Sequence, residues 1–191
     1  MERVKDMRRR LNYFVLTGMI LLMGTACDRW FGPDKEGNIN LSSETFGDSY
    51  YLFGYSYEKG EFYKFPYQGE RIPDIINEGF RALVGGKVVS LPGFNTPGQV
   101  NGFALVGEFG NLDEARTFYK GYDKVEDGLQ FETISETVNL YQVWVQKTEE
   151  GNYVKLLVKD ILNLEGENGV PYNEVELEYT YQADGSSGFP D

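Results

Sequence analysis

The chain of 191 residues has no histidine and a single cysteine, Cys27. Without imidazole there is no base for a Ser-His-Asp or Cys-His nucleophile. One thiol cannot make a four-ligand structural zinc site, an iron–sulfur cluster or an internal disulfide. Methionine is equally confined: Met1, Met7, Met19 and Met23 all fall near the N-terminus. Basic residues are scarce too, 18 Lys+Arg against 30 Asp+Glu, for a net charge of −12. No basic stripe is available to displace counterions from a phosphate backbone, so nucleic acid is excluded as a partner.

What the N-terminus does hold is organised. Arg3, Lys5, Arg8, Arg9 and Arg10 stand against Glu2 and Asp6, and the uncharged apolar stretch LNYFVLTGMILL follows from Leu11 to Leu22. A spanning helix needs about 20 apolar residues, and the charged, Pro-bearing DRWFGPDKE cuts this stretch short. A basic region, a short apolar core and small residues ending at a boundary form the plan of a secretory signal. Gly24-Thr25-Ala26-Cys27 resembles the lipobox of bacterial type II lipoprotein signals, with Gly24 where that pattern prefers an aliphatic residue. The resemblance implies cleavage after Ala26, lipidation of Cys27 (diacylglyceryl and palmitate-type chains) and attachment to a membrane of the cell envelope. Two or more acyl chains on one residue suffice for stable anchoring where one does not. Asp28 after the cysteine resembles an inner-membrane retention signal of some lineages, but outer-membrane or cell-surface placement is favoured.

On that reading residues 1–26 are a signal peptide, 27–38 a lipidated N-terminus and tether, and 39–191 one β-rich globular domain. Removal of 1–26 takes 5 basic and 2 acidic residues, leaving 13 and 28 and a net charge of −15. The remaining body has neither His nor Met, so haem ligation is not expected, nor any metal or other cofactor. What is left is carboxylates, phenols, amines, hydroxyls and amides.

The dominant pattern is strand. Ile39–Thr45 reads as a first strand and Ser49–Tyr57 as a second, with a turn at Glu58-Lys59-Gly60-Glu61 and a return over Phe62–Phe65. The segment 73–79 is open between strand and a helical turn. LVGGKVVSL at 83–91 suggests a hairpin or bulged strand, and 100–107 another strand. One amphipathic helix is expected near 111–122: Asn111 caps it, Glu114 completes the capping box, and Leu112, Ala115, Phe118, Tyr119 and Tyr122 share a face. Strands over 138–148, 152–164 and 174–182 close the chain, the middle turn holding Gly151 and Asn152. In the last strand Val175, Leu177, Tyr179 and Tyr181 alternate with Glu174, Glu176, Glu178 and Thr180, which predicts one wet face. Phe189-Pro190 is placed as a tail that tucks back. The fold class is α+β, mainly antiparallel β, sandwich-like or a meander sheet, with one helix.

The densest functional signal is aromatic. Ten aromatic residues stand between Phe46 and Tyr67, and Tyr51, Phe53, Tyr55 and Tyr57 would project about 7 Å apart on one strand face. Such a row is either a possible ligand platform, able to stack on sugar rings, or a core face whose phenols reach the rim; the core is the commoner use. Acidic pairs such as Asp123/Glu126/Asp127 and Glu165/Glu167 lack calcium-loop spacing and read as solvated surface. No catalytic residue is assigned. The segment YVKLLVKDI…VELEYTYQADGSSGF (Tyr153–Phe189) is similar to the closing hairpin of cell-surface lipoproteins of Gram-negative bacteria, haem-binding ones included. Haem binding in that group uses His or Met, so only the fold would carry over. The chain is therefore expected to be a non-enzymatic, lipid-anchored envelope module that binds a partner protein or glycan, or is structural. The alternatives are a carboxylate-dependent polysaccharide hydrolase and a periplasmic assembly factor.

Overall fold

The computed structural model describes residues 36–47, 50–66 and 72–190, all within one compact unit, Asp34–Asp191. Cys27, the signal segment and most of the tether lie outside the described residues. A five-stranded antiparallel sheet organises the unit in the order β1 (Glu36–Ser42), β11 (Pro171–Gln182), β10 (Tyr153–Glu165), β9 (Gln142–Lys147), β8 (Phe103–Glu108). The α+β, mainly antiparallel class read from the sequence is the class observed. The first strand starts at Glu36 rather than Ile39, because Glu36, Gly37 and Asn38 pair with Thr180, Tyr179 and Glu178.

Alternation in β10 and β11 explains the layering. Val154, Leu156, Val158, Val175, Leu177, Tyr179 and Tyr181 face one way, with Ile39, Leu41 and Trp144, and form the main core. Two small two-stranded units lie on that face, β2 (Leu52–Ser56) with β3 (Glu61–Phe65) and β4 (Ile76–Asn77) with β7 (Phe94–Asn95), and a third, β5 (Phe80–Val84) with β6 (Lys87–Leu91), joins β11 through Ser90. The segment 73–79, ambiguous in sequence, is thus a strand at Ile76–Asn77.

The opposite face carries α1 (Leu112–Gly121). Its start is as read: Asn111 Oδ1 accepts from Glu114 N at 3.0 Å, satisfying one free amide of the first turn. Ala115 and Tyr119 pack on Val143 and Leu157, while Tyr122 and Phe189 pack on Val145, so the tail does tuck back. This coverage corrects the expectation of a wholly wet Glu face on β11. Thr180 is buried, with Tyr119 Oη 2.8 Å from its Oγ1, and Arg116 reaches Glu178 at 3.8 Å.

Polar side chains fasten the small units to the sheet. Asn77 Nδ2 donates to Asn173 Oδ1 at 2.7 Å and to Leu41 O at 3.1 Å. Asn173 Nδ2 donates to Ser90 Oγ at 2.8 Å, and Asn173 N to Ser43 Oγ at 2.9 Å. All four residues are buried, so each amide and hydroxyl depends on the others for hydrogen bonds. Replacing Asn173 with Ala removes one buried partner each from the Asn77 amide and the Ser90 hydroxyl; urea unfolding should show a loss of about 2–4 kcal/mol, whereas Asn168→Ala on the exposed turn should cost far less.

Candidate functional site

Of the hollows on the described surface, three are separated by their chemistry. The largest, about 760 Å³, lies between α1 and β1, β10 and β11. Its polar groups are largely engaged by the protein itself. The buried Lys155 Nζ donates to Tyr119 O at 2.9 Å and Tyr122 O at 3.1 Å, closing the helix C-terminus, where a cation is favoured. Burial lowers its pKa, although Asp123, Glu36 and Glu178 oppose the shift. Arg116 is taken by Glu178, and Lys159 by Glu176 at 2.5 Å. The hollow is chiefly a seam of the fold.

The second hollow is small, about 180 Å³, below the usual range for small-molecule sites. Ser56, Glu58, Lys59, Tyr63, Ile72, Asp74, Glu149 and Glu150 line it. Asp74 Oδ2 accepts from Tyr57 N at 2.8 Å, and Asp74 O accepts from Gln146 Nε2, whose Oε1 takes the Tyr57 hydroxyl at 3.0 Å. Burial pushes the Asp74 carboxyl up to about 6; Glu150 and Glu58 add to this, while the Tyr57 amide and the Ser56 hydroxyl oppose it.

The third, about 590 Å³, has ligand-sized room and unengaged chemistry. Its floor is Ser43, Ser90 and Gly79. Gly79 has φ of 66°, and a Cβ there would lie 2.6 Å from Ser90 Oγ and 2.7 Å from the Ser43 Cβ, so only glycine fits. Its walls are Phe46 and Tyr50 from the loop after β1, Glu78 and Arg81 around the start of β5, and Glu167, Asn168 and Tyr172 around the β10–β11 turn. Tyr50 has φ of 52°, left-handed backbone uncommon for a bulky side chain, and is 75% exposed. Strain of this kind concentrates at functional sites. Among the described residues, no side-chain hydrogen bond or ion pair engages Arg81, Glu44, Glu167, Tyr50 or Tyr172. Burial, with Glu44 and Glu174 nearby, raises the Tyr172 pKa and keeps its phenol a donor.

The aromatic row read from the sequence is divided by the structure. Tyr55 and Tyr57 are core: their rings lie 5.6 Å and 5.2 Å from that of Tyr179, and Tyr55 Oη is 2.9 Å from Tyr179 Oη. They cannot form a platform, because β11 covers that end of the row. Tyr51 and Phe53 lie at the uncovered end, where both rings pack on Phe46 at 5.9 Å and 6.0 Å, and Lys64 Nζ sits 3.5 Å above the Tyr51 ring. They brace one wall of the third hollow rather than line it. Phe46 and Tyr50 stood within the aromatic run but outside its alternation. Arg81 and Tyr172 carried no signal, because the groove joins segments distant in sequence. Among the described residues no cluster of three or more metal-ligating side chains occurs.

The raised pKa of Asp74 has a signed consequence. The folded state binds this proton more tightly than the unfolded chain, whose ordinary value is 3.8. The stability linked to this group is therefore fully present below about pH 4 and lost as pH rises through about 6, by up to about 3 kcal/mol. Asp74→Asn retains an acceptor for Tyr57 N. In urea unfolding it should be more stable than the wild type at pH 7.5, with the advantage vanishing near pH 4; an equal advantage at both pH values would refute the assignment.

The chain matches no protein-family model and no curated protein sequence.

Proposed function

We propose that the protein is a lipid-anchored module of the cell envelope that binds a glycan, without catalysis, in the groove between Phe46, Tyr50 and Tyr172. The observation that carries the binding half is Tyr50, held in left-handed backbone with its ring exposed over a polar-floored hollow. Aromatic walls offer apolar faces to sugar rings. The free carboxylates of Glu44 and Glu167 accept hydroxyl protons, and Arg81, Asn168 and Tyr172 donate. A concave site with few convergent polar groups is the usual form of a small-ligand pocket. The anchor half draws on the lipobox-like segment ending at Cys27 and on an acidic body that does not itself adhere to anionic lipid. Outer-membrane or surface placement is part of the same reading.

A second reading, a carboxylate-dependent polysaccharide hydrolase, draws on Asp74, whose pKa near 6 suits a general acid. Its hollow is too small for a sugar chain, which favours binding in the larger groove. A periplasmic assembly factor is the third reading; it would co-purify with a membrane complex and leave glycan arrays blank.

Two measurements test the proposal. Labelled palmitate should enter the wild-type chain and not Cys27→Ser; lipid on the variant, or none on the wild type, removes the anchor. On a glycan array the wild type should retain a restricted set of oligosaccharides without turnover. Tyr50→Ala and Tyr172→Ala should each weaken capture about tenfold, the loss of one aromatic contact. Unchanged capture by both would place the glycan elsewhere, and release of shortened products would favour the hydrolase.

A further inference from the structure

Charge is distributed unevenly between the hollows of this acidic chain. In the hollow beneath α1 the cations Arg116, Lys120, Lys155 and Lys159 stand among Glu36, Asp123 and Glu178. The groove is different: Glu44, Glu78 and Glu167 line it, with Arg81 as its only cation. A Cβ added at Gly166 would lie 3.5 Å from Glu44 Oε1, so this carboxylate reaches the β10–β11 turn next to Glu167. Acidity alone marks no site in a chain of net charge −12.

Two further features give the charge a meaning. Phe46 and Tyr50, 37% and 75% exposed, present aromatic surface in the same groove. A cation is drawn to an aromatic face as well as to a carboxylate. The other feature lies in the floor. Ser90 is buried, and its Oγ accepts from Asn173 Nδ2 at 2.8 Å. The Ser90 proton has only Ser43 Oγ to point at, 3.4 Å away, beyond the roughly 2.5–3.0 Å of a good hydroxyl pair. Ser43 in turn donates to Asn173 O at 3.2 Å. The missing Cβ of Gly79 keeps the space over Ser90 Oγ clear. The floor thus holds a buried donor without a close acceptor.

We infer, resting on the glycan reading, that the sugar bound in this groove carries a free, protonated amine. The ligand class is an amino sugar without N-acetylation. Its ammonium group is held by Glu44, Glu167 and the Tyr50 ring, while a neighbouring hydroxyl oxygen accepts from Ser90. The apolar face of the sugar lies on the aromatic wall. N-acetylation would remove the charge that these groups recognise. A uronic acid would meet three carboxylates with only Arg81 to oppose them. A basic peptide supplies the charge but no hydroxyl beside its amine for Ser90.

The test is calorimetric titration of the full chain with a glucosamine tetramer, its fully N-acetylated counterpart, a galacturonate tetramer and tetralysine. The glucosamine tetramer should bind about tenfold more tightly than the acetylated one, the worth of an exposed ion pair with a cation–ring contact. Galacturonate should bind weakest. Glu44→Gln and Glu167→Gln should each lower the amine-to-acetyl ratio about threefold. Equal binding of the two glucosamine forms, lost in Tyr50→Ala, overturns the inference and leaves the glycan reading standing. If no tetramer binds and the glycan array is blank, the glycan reading itself fails. A ratio unchanged in both Gln variants, or one that survives Tyr50→Ala, also overturns the inference, because the acidic surface at large would then attract the amine. Tetralysine bound as tightly as glucosamine, and equally dependent on Tyr50, overturns it by naming a basic peptide as the occupant.

Discussion

The hydrogen-bonded pair Asn77–Asn173 is the constraint on which the groove side of the molecule depends. Asn173 is fully buried in the longest hairpin, where its strand leaves the core, and Asn77 sits on a strand of only two residues. Two-stranded ribbons are marginal by themselves in water. Here β4 is held by an amide that bridges to Leu41 O and Asn173 Oδ1, and β6 by the bond from Asn173 Nδ2 to Ser90. Buried amides of this kind are costly when unpaired and directional when paired, so they fix where the small ribbons sit more sharply than apolar contact would. Ser43 and Ser90 belong to this network and also form the groove floor. The stability of the scaffold and the shape of the site rest on the same side chains.

The core reflects a chain short of polar chemistry but rich in phenols. Tyr55, Tyr57, Tyr179 and Tyr181 stack face and edge between the sheet and β2. Each hydroxyl in this set finds a protein partner: Tyr55 with Tyr179, Tyr57 with Gln146, Tyr181 with Asn152. Tyrosine supplies large buried area and a polar tip at once. Burial drives the phenol of Tyr57 well above its ordinary pKa and that of Tyr181 up to about 12, so both remain neutral donors. On the far face Lys155 does comparable work, its ammonium group closing the helix end while lying over the rings of Tyr119 and Phe189.

The layers were legible in the sequence wherever a period was long enough to be unambiguous. Val175 to Tyr181 announced one core face, and Asn111 with Glu114 announced the helix start. Less visible was what would be laid over each face. Glu178 and Thr180 alternate outward as expected, yet the helix crosses them, and nothing in a local period encodes that crossing. In the same way Tyr51, Phe53, Tyr55 and Tyr57 have the right alternation, but burial changes along the row because β11 ends its cover midway. Asn77 sits in a segment that stayed open between strand and helical turn, Asn173 lies just before the last strand as read, and a single buried amide leaves no periodic mark. The groove was the least legible part, since Ser43, Tyr50, Arg81 and Tyr172 meet only after β1, β5 and β11 have been brought together.

Several local rules are broken around the groove and the hairpin beside it. Tyr50 holds a backbone conformation that suits glycine, Gly79 holds a position that only glycine fits, and Leu83, Val84 and Val88 face water. A sequence consistent at every level would put a small polar residue at 50 and charged residues along the hairpin tip. Elsewhere Asn101 and Tyr141 also hold left-handed backbone and Val100 is 72% exposed, so such exceptions are not confined to this part of the fold. Because Arg81 belongs both to the groove wall and to the hairpin, the exceptions around the groove form one continuous surface. Surplus exposed apolar area and stored backbone strain both cost folding stability. What distinguishes the groove is that its exceptions adjoin the Asn77–Asn173 network, whose Ser43 and Ser90 line it.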